Sequence, residues 1–271
     1  MNAAALAGAA GGALISLLVA PLAVARAPQA LTRVNWRGRP VPAVLGFPLA
    51  ASGVIVAGAF AARYPEEARS AGAVGLVVAV MAAAGYYDDR RGDEQERGFH
   101  GHLAAARDKR LTGGAIKIAG AAAGGMVAGA LVLDGWAVLE TALLVALTAN
   151  AVNLLDRAPG RAGKAALFAW LPLLVWGDAV WSAASAGLLG ALLVCLVLDL
   201  RARAMLGDAG ANPLGAVLGL GLSVSLPPQG RVAAVLGLLA LNLASERWSF
   251  SAIIERVRVL SAVDRLGRRG S

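Results

Sequence analysis

The sequence predicts an all-α, polytopic membrane helix bundle of about nine transmembrane helices, N-terminus out and C-terminus in, with a C-terminal amphipathic helix. Three observations predict it. The 271 residues are 58% apolar, with a mean hydropathy of +0.66. No soluble domain of this size needs so much apolar surface, so lipid is the solvent for most of the chain. The apolar residues fall into nine segments, each near the roughly 17–25 residues that cross a bilayer. The Lys and Arg residues collect in every second loop, the asymmetry that sets orientation in a membrane.

The first segment covers about residues 3–25. Its end, Ala23-Val24-Ala25, resembles a signal-peptidase site, but no charge precedes Arg26. A signal peptide begins basic, so the reading is a retained helix with its N-terminus outside. Arg26, Arg33, Arg37 and Arg39 follow it. Segments at about 41–62 and 71–87 come next, and the loop after them carries Arg90, Arg91, Arg97, Arg107, Lys109 and Arg110. Segments at about 114–133 and 136–155 are joined by a tight turn and followed by Arg157, Arg161 and Lys164. Segments at about 165–180 and 182–199 are followed by Arg201 and Arg203. The last pair covers about 209–226 and 231–245. The alternate loops hold only Arg63, Arg69 and Arg231, and Lys117 lies inside the fourth segment. Trp136, Trp176, Trp181 and Tyr86-Tyr87 fall at segment ends, where an aromatic belt is expected.

Two regions follow: a membrane domain over 1–245 and a basic tail over 246–271. In the tail Phe250, Ile253, Ile254, Val257, Leu260 and Val263 share one helical face, with arginines mostly elsewhere. That pattern predicts a helix lying on the anionic membrane surface, so membrane lipids are expected partners. The net charge of +8 needs no nucleic acid, because the cations lie beside apolar segments. Abundant Gly and Ala suit close helix packing and homodimerisation. The single Cys195 reads as a packing residue, and two histidines in one loop exclude a His-rich metal site.

The polar residues carry the chemistry. Asp88-Asp89 closes the third segment. Adjacent carboxylates there are either solvated or bound to a cation; a hard cation such as Mg²⁺ takes one or two carboxylates and shares the rest of its shell with water and phosphate. Asn150, Asn153 and Asp156 recur every third residue at the end of the fifth segment. Such a stripe faces the bundle interior or a wet cavity, either as a site or as interhelical hydrogen bonding. Gly207-Asp208-Ala209-Gly210 precedes the eighth segment. It is either a good turn or a place where phosphate meets a helix N-terminus and Asp208 binds a metal. Arg203 pairs with a phosphate or a lipid headgroup. Lys117 snorkels to the interface or meets an anion. His100 and His102 are either solvated loop residues or phosphate contacts. By the charge-derived topology all of these lie at the cytoplasmic face.

With these residues in place, the chain resembles the polyprenyl-phosphate N-acetylhexosamine-1-phosphate transferases, a group that includes the phospho-MurNAc-pentapeptide translocases. The aspartate pair at Asp88-Asp89, the Asn-Ala-x-Asn-Leu-x-Asp signature at Asn150–Asp156, the Gly-Asp-Ala-Gly loop at Gly207–Gly210 and the lysine at Lys117 carry the resemblance. Pro40-Val41-Pro42 only hints at the early Pro-Thr-Pro segment. The resemblance implies a multi-pass enzyme of a bacterial-type plasma membrane, active at its cytoplasmic face in cell-envelope glycan synthesis. Polyprenyl phosphate would attack the β-phosphate of a UDP-sugar with Mg²⁺, or Mn²⁺ in its place, as cofactor. Asp208 would be the metal ligand. Asp88 would bind or deprotonate the lipid phosphate, with Asp89 assisting. Lys117 would hold a phosphate, and Asn153 and Asp156 would line the nucleotide and metal site. Asn150, Arg203 and His102 complete the expected substrate-binding set.

The chain also departs from the family pattern. Where the family continues Gly-Leu-Asp-Gly after Asp156, this chain reads Arg157-Ala158-Pro159-Gly160, and no His follows His102. Nine segments stand against the family's usual ten. These departures open a second reading, a catalytically inactive relative that serves as an envelope-assembly scaffold or lipid-phosphate-binding protein.

Overall fold

The computed structural model describes residues 3–35, 38–91 and 113–268. Eleven α-helices run through them. They are α1 (Ala3–Ala25), α2 (Gly46–Arg63), α3 (Ala68–Arg91), α4 (Gly113–Val132), α5 (Trp136–Leu155), α6 (Arg161–Trp176), α7 (Ala179–Leu200), α8 (Asp208–Ser225), α9 (Pro228–Arg247), α10 (Phe250–Arg256) and α11 (Arg258–Arg265). The first nine overlie the nine apolar segments. Five of them, α1, α2, α3, α5 and α7, are long and apolar enough to cross a membrane. The apolar part of α4 is shorter, Ile116–Val132, and α6 has only 16 residues. The chain is an all-α membrane bundle.

The core is built around α7 and α8. Every residue from Trp181 to Leu192 and from Ala209 to Gly221 is buried. The many glycines explain how helices approach these two so closely. A Cβ on Gly12 would meet the Gly187 carbonyl, and one on Gly190 would meet the Ala9 carbonyl, so α1 crosses α7 backbone to backbone. Ser52 bridges the same region, donating to the Gly12 carbonyl at 3.0 Å. Gly215 and Gly219 do the same for α8 against Thr148 and Leu144 of α5. By contrast α9 has no buried residue and exposes Leu236, Leu239, Leu241 and Leu243. It is held to α5 by polar contacts, Arg231 to Glu140 at 2.5 Å and Asn150 to Asn242 at 2.5 Å.

Between α1 and α2 the chain forms a small antiparallel hairpin, β1 (Thr32–Val34) and β2 (Pro40–Pro42), paired Thr32↔Pro42 and Val34↔Pro40. The next residue, Ala43, bridges to Met205, so the hairpin is tied to the connection between α7 and α8.

Two expectations change. Trp136 and Trp176 are exposed at helix ends, as a belt requires, but Trp181 is only 2% exposed. Its ring stacks on Trp170 at 5.7 Å and its Nε1 donates to the Val217 carbonyl at 3.0 Å, so it is a core residue. The tail is two short helices rather than one. The chain turns extended at Val257 (φ −87°, ψ 111°), which lets Asp264 reach the start of α6.

Candidate active site

The ends of α3, α5 and α7 meet the starts of α4, α6 and α8 at one end of the bundle, where a cleft of about 530 Å³ opens. The hairpin forms one wall with Arg33, Val34 and Asn35, the loop 156–159 a second, and the α7–α8 connection a third. Five carboxylates line it: Asp88, Asp89, Asp156, Asp199 and Asp208.

Asp88 and Asp89 close α3, one residue apart and about 100° apart around the helix, so they serve different partners. Asp89 turns to α8. Its Oδ1 accepts from the Asp208 N–H at 3.1 Å and its Oδ2 from the Ala209 N–H at 3.0 Å. A carboxylate at a helix N-terminus satisfies donors that the helix leaves unpaired and sits at the positive end of its dipole. The next two N–H groups, of Gly210 and Ala211, are satisfied by the Gly207 carbonyl. The first turn of α8 is therefore capped by the protein itself, and the sequence reading of open donors awaiting phosphate does not hold there. Gly207 makes this possible. Its φ of +65° with ψ 177° is a glycine conformation, and a Cβ would sit 2.8 Å from Asp89 Oδ2. Gly85 lets α3 lie against the start of α8, where a Cβ would strike the Asp208 carbonyl. Arg33 Nη2 donates to the Asp89 main-chain carbonyl and fixes the hairpin to the end of α3.

Asp88 turns to Lys117. The Lys117 Nζ donates to Asp88 Oδ2 at 2.9 Å and Asp208 Oδ2 at 2.5 Å. The Asn153 amide is oriented so that its nitrogen donates to Asp208 Oδ1 at 2.8 Å and its oxygen accepts from Lys117 Nζ at 3.1 Å. Four helices thus bring Asp88, Lys117, Asn153 and Asp208 into one hydrogen-bonded group. Of the two readings open for Lys117, the anion contact is the one observed.

Asp156 caps the C-terminal end of α5 and lines the same cleft. Burial holds its carboxyl well above the ordinary range, and the charges of Asp199, Asp208 and Asp89 push it the same way; the Gly207 N–H opposes them. Repulsion of this kind is relieved when a cation enters. Carboxylate oxygens at Asp88 and Asp208 are the hard donors that Mg²⁺ takes, one or two at a time. Among the described residues no three His, Cys, Asp or Glu side chains form a ready-made metal site, so an ion here would take the rest of its shell from water or substrate.

Not every expected residue reaches the cleft. Asn150 is exposed and donates to Asn242 of α9. A spacing of three residues falls about 60° short of a full turn, so Asn150 and Asp156 lie about 120° apart around α5. Arg203 is exposed and lies outside the cleft lining. His100 and His102 lie outside the described residues.

Sequence reasoning missed Asp199, which is 2% exposed and accepts from the Gly160 N–H at 3.0 Å. It also missed how the tail engages this region. Arg161 forms a bidentate pair with Asp264, Nε to Oδ1 at 2.8 Å and Nη2 to Oδ2 at 2.9 Å. Arg268 Nη2 joins them at 2.5 Å, and its Nε donates to the Pro159 carbonyl at 2.9 Å. Lys164 Nζ donates to the Val263, Asp264 and Leu266 carbonyls at the end of α11. A cation among the last carbonyls of a helix is a C-terminal cap. Two lone signals existed in the sequence, an aspartate ending an apolar run and another inside a basic tail, but their partners are 39 and 103 residues away.

No curated protein matches this chain. The Glycosyl transferase family 4 model matches residues 72–226. That stretch runs from α3 to the end of α8 and holds Asp88, Asp89, Lys117, Asn153, Asp156, Asp199 and Asp208. With more than half of its length matched, and with the matched part building most of the cleft, the chain belongs to Glycosyl transferase family 4.

Proposed function

We propose that this chain moves a sugar-1-phosphate, of N-acetylhexosamine type, from a UDP-sugar to polyprenyl phosphate for cell-envelope glycan synthesis. The observation that carries the reading is the joining of Asp88, Lys117, Asn153 and Asp208 from four helices in a cleft of about 530 Å³. A family 4 transferase with this acidic group is suited to phosphoryl chemistry, which demands positioning and charge neutralisation more than covalent catalysis.

In the reaction a phosphate oxygen of the lipid attacks the β-phosphorus of the UDP-sugar. The bond from that phosphorus to the bridging oxygen breaks, and UMP leaves with the electron pair. Asp88 orients the lipid phosphate and takes its proton where one is present. Asp89 acts through the first turn of α8, holding Asp208 in place. Lys117 moves from its carboxylate partners to a substrate phosphate. Asn153 and Asp156 line the nucleotide side. Mg²⁺ or Mn²⁺, held by Asp208 with Asp88, would neutralise charge developing on the phosphates.

The positive loops support nine crossings with the cleft at the cytoplasmic face of a bacterial-type plasma membrane. They support the division into a transferase-like domain over 1–245 and a cytoplasmic tail over 246–271.

The inactive-relative reading draws on two observations: Lys117 already pairs with both Asp88 and Asp208, and Pro159 stands where the resemblance leads one to expect an acidic residue. UMP release separates the two. Purified protein is given polyprenyl phosphate, a panel of UDP-amino sugars and Mg²⁺, beside Asp208→Asn. Metal-dependent release that falls by about a hundredfold or more in the variant is the expected result. No release with any donor, from folded protein that still binds polyprenyl phosphate, refutes the transferase.

A further inference from the structure

Among the described residues five carboxylates line the cleft, and the substrates of the reading above are anions. Something in the chain must draw a phosphate in. Two described arginines line the cleft, Arg33 and Arg157. Arg33 is committed: its Nη1 donates to the Ala30 and Thr32 carbonyls at 3.0 and 3.1 Å, and its Nη2 to the Asp89 carbonyl. Lys117 is paired with Asp88 and Asp208 until a substrate phosphate is already in place. Arg157 is exposed, lines the open volume, and pairs with none of the five carboxylates.

The backbone that carries Arg157 is fixed on both sides. Its own N–H donates to the Leu155 carbonyl at 2.8 Å. The Gly160 N–H is held by Asp199 at 3.0 Å, and the Pro159 carbonyl by Arg268 at 2.9 Å. A guanidinium without a partner among the described residues, on an anchored loop, is preorganised: binding orders one side chain and no backbone. Its planar fork of donors matches two phosphate oxygens, which a lysine's point charge does not. A merely solvated arginine that marks the positive side of a membrane protein would affect no ligand.

We propose that Arg157 is the anion anchor of the cleft and binds a substrate phosphate group through its guanidinium. The proposal rests on the transferase reading and adds to it a specificity-determining residue at the position where this chain departs from the family signature. The phosphate is either that of the nucleotide or that of the prenyl lipid.

Equilibrium binding to the full chain in detergent tests it, with UMP and farnesyl phosphate as separate probes. Wild type is compared with Arg157→Ala, Arg157→Gln, Arg157→Lys and, as a control outside the cleft, Arg201→Ala. Arg157→Ala and Arg157→Gln should weaken one probe by about tenfold or more and flatten its salt dependence. Arg157→Lys should fall between, and Arg201→Ala should match wild type. A loss confined to UMP assigns the anchor to the nucleotide phosphate; a loss confined to farnesyl phosphate assigns it to the lipid. Unchanged binding of both probes by a folded Arg157→Gln overturns the proposal and leaves the transferase reading standing. Wild type that binds neither probe overturns both.

Discussion

Removing the Asp264 carboxylate should release the tail from the bundle. Among the described residues of α10 and α11, Asp264 is the one that is buried, while Ile253, Val257, Leu260 and Val263 are exposed. Apolar burial therefore contributes little to docking, and the polar contacts carry it. The Asp264 and Arg161 side chains are each 8% exposed. Asp264→Ala leaves the Arg161 guanidinium buried with only the Ser251 hydroxyl, at 2.7 Å. Breaking one half of a buried pair costs about 3–5 kcal/mol. The tail helices lie at the surface, with Val257, Val259 and Leu260 exposed, so water reaches the opened pair, the lower figure of about 3 kcal/mol applies, and it raises the open population about a hundredfold. Hydrogen exchange read by mass spectrometry over residues 250–266 measures this directly. The double variant Arg161→Met/Asp264→Leu should open less than Asp264→Ala, because replacing both charges removes the unpaired one. Unchanged exchange in Asp264→Ala, or a double variant more open than the single one, would refute the reasoning.

Acid should open the same contact in wild type. Burial raises the Asp264 carboxyl, but hydrogen bonds from Arg161 and the charges of Arg161 and Arg268 outweigh it and hold it below its ordinary 3.8. A depressed folded value means the stabilisation is present above the unfolded value and is lost as pH falls through the folded one. Exchange over α10 and α11, corrected for intrinsic rates, should stay flat from neutral pH to about 4 and rise below it. Gly207→Ala should lower the melting temperature in detergent and loosen α8, because it forces a glycine-only conformation at a cost of about 1–3 kcal/mol and crowds Asp89 Oδ2. An unchanged melting temperature would show that the α8 cap does not depend on this turn.

The extent to which the sequence was readable follows from the range of each interaction. Apolar run length is local, so the nine long helices were visible in it. The Asp88-Asp89, Asn153, Asp156 and Asp208 cluster was visible as well, because charged groups in a lipid-embedded chain gather where water or partners are. Asn150 failed for a geometric reason: three-residue spacing drifts around a helix, and two turns were enough to carry it to the α9 side. Asp89 is expected from the sequence to assist Asp88, whereas in the structure the two neighbours on the helix meet different partners, α8 for Asp89 and Lys117 for Asp88. Asp199, Arg161 and Asp264 were not legible, because each matters only through a partner that the chain's path brings close. The break at Val257 carries no local signal either, since no Gly or Pro lies between Ser249 and Leu266.

The charge inventory of the cleft bears on the choice between enzyme and inactive relative. Asp89 has a structural duty in capping α8, and Asp199 has one in holding Gly160. Those two explain themselves without catalysis. Asp156 accepts from the Gly207 N–H as well, but burial and the charges of Asp199, Asp208 and Asp89 outweigh that bond and hold its carboxyl up. Asp88 and Asp208 both close on the Lys117 ammonium. Clustered carboxylates at a membrane boundary weaken a fold, and an asparagine at any of these three positions would keep most of the hydrogen bonding without the repulsion. A scaffold has no use for that crowding, whereas the proposed site, which would hold a cation against phosphates, needs clustered carboxylates. Asp88, Asp156 and Asp208, rather than the adjacent pair as a unit, are therefore the residues on which the proposed transferase depends.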